Sequence, residues 1–293
     1  MRIIQELFMK LASYVVRQER RESFGIVTST GLIDVGRRLA GRFGGIKDVL
    51  AAGALAELRA FAAEQDDLGV DEVAFLPVIA RPGKIFCVGM NYQDKRVEFN
   101  ATDSAPTLFV RFPDSQTGHG CPVLKPALTQ EFDYEGELAV VIGEGGARIA
   151  REDACNHVAG YSCYMDGSVR DWQHAWFTAG KNWPQTGSFG PWLVTCDEIG
   201  DPHQLAIRTY VNGMKVQDDN TGNMIHCIPD LIAYISTFSA LSPGDVIITG
   251  SPGGVGKKRT PPLFLKDGDT VAVEIERIGT LCNSVVQDVA IAA

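Results

Sequence analysis

Phe132-Asp-Tyr-Glu-Gly-Glu-Leu-Ala-Val-Val-Ile-Gly143 is the stretch on which the reading of this chain turns. From Leu138 to Ile142 every position is apolar, so the segment reads as a strand buried on both faces of a sheet. Glu135 and Glu137 stand two apart at its entrance, and residues two apart on a strand share a face. Two like charges at the mouth of a buried strand repel each other. Either one takes up a proton or a cation neutralises both. A hard divalent cation suits such oxygen ligands. Taken alone, the pair also fits an edge strand in water, since acids are mostly exposed. The glycine between them and the apolar continuation point inward. A third acid, Asp166, follows in Tyr164-Met-Asp-Gly-Ser-Val-Arg-Asp-Trp-Gln173, where Arg170, Asp171 and Gln173 crowd one loop.

The composition is that of a soluble globular protein. With 293 residues, 45% of them hydrophobic and 22% charged, the chain can bury a large core in one or two domains. A net charge of -9 and a pI near 5.1 argue against nucleic acid or an anionic membrane surface as the main partner. Seven cysteines, an odd number without Cys-x-x-Cys spacing, indicate neither a disulfide framework nor a zinc site. Reduced thiols in the cytoplasm are the expectation. No run reaches the ~18 apolar residues of a membrane span, and Met1 to Lys10 lacks the apolar core of a signal peptide. Residues 1–8 are expected to be a disordered or appended extension, with Met9 as an alternative start.

Along the chain, Leu11 to Val16 and Phe24 to Val27 read as a hairpin around a charged turn. Leu32 to Leu39 and Ile46 to Ala63 carry helical apolar spacing, and the prolines between Phe75 and Gly83 mark a linker. The expected division is a small N-terminal domain over 9–79 and a catalytic domain over 80–293. The second part is strand-rich, with strands expected at Ile85 to Val88, Thr107 to Phe112, Leu138 to Ile142, Leu205 to Val211, Val246 to Thr249 and Val271 to Ile275. The spacing predicts one strong helix over Pro229 to Leu241 and a weaker one over Arg151 to Ala159. No strict strand-helix alternation supports a doubly wound sheet.

Three more segments carry candidate chemistry. After the strand at Ile85, Gly89-Met-Asn-Tyr92 runs into a helical turn that places Lys95 and Glu98 on one face, as a surface ion pair or as something functional. Between Thr178 and Trp192, Lys181 stands among glycines and aromatics, where a lysine can be an exposed loop residue or a point charge for an enolate. Gly244-Asp-Val-Ile-Ile-Thr-Gly-Ser-Pro-Gly-Gly-Val-Gly256 is a strand ending in a glycine-rich turn whose amides can hold a carboxylate. With Pro252 inside it and no good helix after it, it makes a poor dinucleotide fingerprint.

Together these segments resemble the fumarylacetoacetate hydrolase family. Five motifs occur in the family's order: Gly89-Met-Asn-Tyr92, Asp133-Tyr-Glu-Gly-Glu137, Asp166 with Arg170-Asp-Trp-Gln173, Gly180-Lys181 before Phe189-Gly-Pro-Trp192, and the glycine-rich stretch from Gly244 to Gly256. The resemblance covers the chain from about Met9 onward. It implies a mixed α/β, β-rich fold, with a family-type C-terminal β-roll domain after a small N-terminal α+β domain. It implies that Glu135, Glu137 and Asp166 ligate Mg²⁺ or Mn²⁺, with Ca²⁺ as an alternative. Three carboxylates leave about three of six octahedral positions open, enough for a 2-oxo acid to chelate. By position in the motifs, Lys181 stabilises an enolate, Gln173 orients substrate or water, and Thr249, Gly250 and Gly253 hold the substrate's carboxylate. Tyr92 and Arg170 are further substrate-binding candidates, Arg170 with the alternative of steadying Asp166. The family habit is a homodimer.

One departure bears on the reaction. Family members that hydrolyse carbon-carbon bonds carry a histidine, then a glutamate three residues later, to activate water. Here the glutamate is Glu98 but the histidine position is Lys95. A lysine with its ordinary pKa near 10.4 is protonated at neutral pH and is no base. Glu98, His119 or His174 are the alternatives for that task. The expectation is therefore a divalent-metal-dependent enzyme acting on a 2-oxo or 1,3-dicarbonyl acid, in aromatic-compound or sugar-acid catabolism, by hydrolysis or by isomerisation or decarboxylation through a metal-stabilised enolate. The rival is a family member that binds metal and ligand but has lost turnover.

Overall fold

Strand Gly136–Ile142 is buried at all of its positions because it lies in the middle of an 11-stranded sheet. In this computed structural model, which describes residues 9–102 and 104–288, it pairs antiparallel with Val158–Met165 on one side and with Val246–Ile248 on the other. The extension expected at 1–8 lies outside the described residues. Beyond Val246–Ile248 the sheet continues, parallel, to Ile85–Gly89 and ends on Thr107–Val110. In the other direction it passes through Gly187–Thr195 to the N-terminal hairpin Lys10–Val16 and Arg21–Val27, so one sheet joins that hairpin to the strands around the acids, while the last strands, Thr270–Ile275 and Gly279–Gln287, belong to a second sheet.

The alternation expected of a strand buried on both sides divides two cores. Leu138, Val140 and Ile142 join Ile207, Val273 and Leu281 of a second, five-stranded sheet. Ala139 and Val141 face the other way, toward Ile46, Val49, Leu50 and Leu58 of the N-terminal helices. Each fully buried Leu, Val or Ile contributes roughly 1.5–3 kcal/mol, so a one-residue slip of this strand would forfeit both cores at once. Gly136 lies on the face toward the five-stranded sheet. A Cβ there would fall 2.1 Å from Thr209 Oγ1 and 3.2 Å from Val273, so the residue between the glutamates is small because another sheet packs against it.

The fold is mixed α/β and strand-rich, as the resemblance implied. The strong helix forms over Ile228–Phe238, burying Ile228, Leu231, Ile232 and Ile235 at helical spacing. Ile46 to Ala63 is instead broken into Ile46–Ala51 and Leu55–Leu58, with Gly53 in the left-handed conformation at φ 63° ending the first. The helix expected over Arg151 to Ala159 is a correction: a 3-10 turn at Ala154–His157 leads straight into strand Val158–Met165. Val158, Tyr161 and Tyr164 are β-branched or aromatic, the first paired on one edge and the two tyrosines on both, which outweighs local helical spacing. Strands Gly187–Thr195, Met214–Asn220 and Gly279–Gln287 were not expected. Among the described residues no helix is long and apolar enough to cross a membrane.

Candidate functional site

The register of two strands brings the acids together. Gly136 pairs with Met165, and the Asp166 amide donates to the Glu135 carbonyl at 2.8 Å, so the end of one strand delivers Asp166 beside Glu135 and Glu137. Each of the three offers a carboxylate oxygen within 4.8 Å of the others, and all are buried. The acids share the pocket with cations. Lys95, from helix Gln93–Phe99, donates to Glu135 Oε1 at 2.6 Å and to Ser251 Oγ at 3.0 Å. Lys181 donates to Glu135 Oε2 at 2.5 Å and also to Asp166 Oδ2. Arg111 donates to Asp166 Oδ1 at 2.5 Å, and Ser168 to Glu135 Oε2 at 2.7 Å. Arg170 is anchored by Asp133 through Nε at 2.9 Å. Its Nη2 is ion-paired with Glu135 Oε1 at 3.2 Å, out of line for a hydrogen bond.

These neighbours give the two glutamates opposite electrostatics. Burial opposes ionisation of Glu135, yet the charges of Arg170, Lys181 and Lys95 outweigh it and hold that carboxyl well below the usual range. Glu137 is pushed well above its usual range, first by burial and then by the charges of Asp166 and Glu135, which outweigh the charge of Lys181 and the hydrogen bond donated by the Gly250 amide at 2.7 Å. Burial also works against the Lys181 ammonium, but Asp166 and Glu135 hold it above its ordinary value.

The donor set fits a hard divalent cation. Three converging buried carboxylates are the ligands such an ion takes, and Glu137, repelled by its neighbours, is a carboxylate short of positive charge. The free volume among these residues is about 20 Å³, the room of a single water. Lys181 fills the middle. A larger cavity of about 210 Å³ lies between the hairpin and Ile46–Ala51 and is lined by none of these groups. The carboxylate pocket is where charge converges, and we place the site there.

The other residues singled out by the sequence fall in several places. Gln173 borders the site, its Oε1 accepting from Arg170 Nη1 at 3.3 Å and its Nε2 buried without a partner. Thr249 is fully buried and its hydroxyl donates to the Leu138 carbonyl. Tyr92 is buried in the core with no partner for its hydroxyl and does not line the pocket. The amides of the glycine-rich turn, expected to be open for a substrate carboxylate, hold the chain's own acids instead. Gly250 serves Glu137, Gly253 serves Asp94 at 3.2 Å, Gly254 serves Glu98 at 2.7 Å, and Gly256 and Lys257 serve Asp133. Glu98 is thus bound to a backbone amide, with Oε2 buried and unpartnered, and lies outside the pocket lining. His119 packs on Phe75 and accepts from the Cys282 amide, and His174 is exposed. Neither reaches the acids. Sequence reasoning passed over Ser168 and Ser251, which lie inside its own motifs, and Arg111, whose only signal was a charge closing the apolar run Leu108-Phe-Val-Arg111.

The family model described as fumarylacetoacetate (FAA) hydrolase C-terminal matches residues 84–286. The chain belongs to the fumarylacetoacetate hydrolase family. It is 46% identical over 235 residues to the human protein named oxaloacetate tautomerase FAHD2A, mitochondrial, covering 78% of this chain and 74% of the relative. With the oxaloacetate tautomerase YisK of Bacillus subtilis it shares 42% identity over 232 residues, 75% of this chain and 77% of the relative. The crystal structure of a maleylpyruvate hydrolase from Sphingobium sp. SYK-6, in complex with manganese(II) and pyruvate, superposes with a TM-score of 0.81 at 27% identity, covering 96% of this chain and all of that one. The chain is therefore an enzyme of the fumarylacetoacetate hydrolase family, with an acidic cluster able to hold a metal ion.

Proposed function

We propose that this enzyme interconverts the enol and keto forms of a small 2-oxo dicarboxylate, with oxaloacetate as the first substrate to test, in a site completed by Mg²⁺ or Mn²⁺ on Glu135, Glu137 and Asp166. The observation that carries the reading is charge balance in one buried cluster of side chains, lining the pocket or directly behind it. Lys95, Arg111, Arg170 and Lys181 face Asp133, Glu135, Glu137 and Asp166, four cations against four carboxylates. A divalent cation then leaves two positive charges that a dianionic substrate cancels. The names of the two tautomerase relatives support the substrate.

A divalent cation bound there supplies Lewis-acid polarisation of the ketone oxygen. The chain's own residues do the rest. Tautomerisation moves one proton between the carbon beside the ketone and the ketone oxygen, so no water is consumed and no carbon-carbon bond breaks. Lys181, held as an ammonium, leaves its carboxylate partners to bind the negatively charged oxygen of the enolate. Arg170 offers Nη2, ion-paired with Glu135 but not hydrogen-bonded, to a substrate carboxylate, and Gln173 offers Nε2 beside it. Lys95, tied to Glu135, contributes charge and supplies no base for water. No histidine lines the pocket, which favours this reaction over hydrolysis.

The test follows the ultraviolet absorbance of enol-oxaloacetate with protein, chelator and restored cation. Accelerated decay that chelator abolishes and Mg²⁺ or Mn²⁺ restores supports the reading. No acceleration under any cation, or pyruvate and carbon dioxide as the products, overturns it.

A further inference from the structure

Arg111 belongs to none of the five motifs and does not line the pocket, yet it is among the largest fully buried side chains of the protein. Burying a guanidinium is costly unless every donor is used and a negative charge stands beside it. Both conditions hold. Nε donates to Ser115 Oγ at 3.1 Å, Nη1 to Asp166 Oδ1 at 2.5 Å and to the Gly167 carbonyl at 3.0 Å. Nη2 donates to the Ser115 carbonyl at 3.0 Å and Thr186 Oγ1 at 2.9 Å. The planar fork thereby joins three stretches of chain in a pattern that a lysine, with one point charge, cannot copy. Its surroundings are shaped to admit it: a Cβ on Gly187 would fall 2.8 Å from Nη2 and 2.9 Å from the Tyr164 hydroxyl.

We infer that Arg111 is a positioning residue: it fixes Asp166 by Oδ1 so that Oδ2 faces the pocket, and the enzyme's affinity for a divalent cation depends on that orientation. This rests on the cation reading above. Charge alone argues the opposite way, since an arginine near the site repels a cation. The geometry and the charge therefore predict opposite signs for the same substitution.

Mn²⁺ affinity measured by calorimetry on folded protein, with the electron-spin spectrum of bound Mn²⁺, separates them. Arg111→Met is expected to weaken Mn²⁺ binding roughly 10–100-fold, the usual effect of losing a group that orients a ligand. Arg111→Lys keeps the charge and loses the fork, and is expected to weaken binding by less and to broaden the spectrum. Gly187→Ala, which unseats the guanidinium without altering it, is expected to act in the same direction. At saturating Mn²⁺, kcat falls while KM for oxaloacetate holds. Unchanged or tighter binding in Arg111→Met overturns the inference. If that variant fails to fold, wild-type affinity in both Arg111→Lys and Gly187→Ala overturns it equally. A wild-type protein that binds neither Mn²⁺ nor Mg²⁺ is a different result and sinks the cation reading instead.

Discussion

The two sides of the carboxylate pocket, a strand step apart, have contrasting surroundings. On the Glu135 side Lys95, Lys181, Arg170 and Ser168 converge, and the carboxylate stays ionised despite burial. On the Glu137 side one backbone amide donates a hydrogen bond, and burial with the charges of Asp166 and Glu135 outweighs the pull of Lys181, so the carboxyl is driven toward its protonated form. The difference locates the missing positive charge. Glu135 is an anchor that the protein itself has neutralised, whereas Glu137 is where an added cation gains most.

The comparison can be broken most directly at Asp166. Asp166→Ala should abolish both activity and the thermal stabilisation by Mg²⁺, which for wild type at a hundredfold excess over Kd amounts to about 2.7 kcal/mol. A melting curve that still responds to Mg²⁺ would sink the three-carboxylate site. Lys181→Met comes next. Leaving buried carboxylates without their shared cation should cost the metal-free protein about 3–5 kcal/mol, and added Mg²⁺ should return part of it. Urea titrations with and without cation measure both quantities.

Glu137→Gln and Glu135→Gln should move metal-free stability in opposite directions. The folded pKa of Glu137 is raised, so the native state binds more protons than the unfolded chain above about pH 4.5, the ordinary value of a glutamate. Stability therefore falls as pH rises through that window, and Glu137→Gln removes the fall. Glu135 has a lowered pKa, so its contribution is present above about pH 4.5 and is lost as pH drops through its folded value. Glu135→Gln should destabilise at neutral pH. Thermal melts in chelator across pH decide the matter, and curves that move together would erase the contrast between the two sides. The smallest expected effect belongs to Lys95→His: a rise in acylpyruvate hydrolysis below the ~100-fold of a well-placed base. Hydrolysis left as it was would show that the lysine is not what limits water attack.

What was legible in the sequence was local. Strand parity put Glu135 and Glu137 on one face, and an apolar run without alternation meant a strand covered on both sides. The order of the motifs then supplied Asp166 and Lys181. Illegible were the partners that topology chooses. Arg111 meets Asp166 across 55 residues and Thr186 across 75, and no local pattern announces either pairing. Lys95 read as the neighbour of Glu98 on a helix face, but its nitrogen goes to Glu135, 40 residues away. The glycine-rich turn was rightly read as a place for anions, but four of its amide contacts go to Asp94, Glu98, Asp133 and Glu137 of the same chain. Composition cannot distinguish an internal carboxylate from a substrate's.

The last of these contacts has a bearing on traffic into the pocket. Helix Gln93–Phe99 roofs one side, and its Asp94 and Glu98 are moored to the Gly253 and Gly254 amides. Swinging that roof away would break two charge-assisted hydrogen bonds, each of them stronger than a neutral one. The pocket residues that retain some exposure are Gly89, Met90, Phe109 and Phe177, the two rings 5.2 Å apart. The part of the pocket open to solvent is therefore partly aromatic, while the helix beside it is held in place by its own acids.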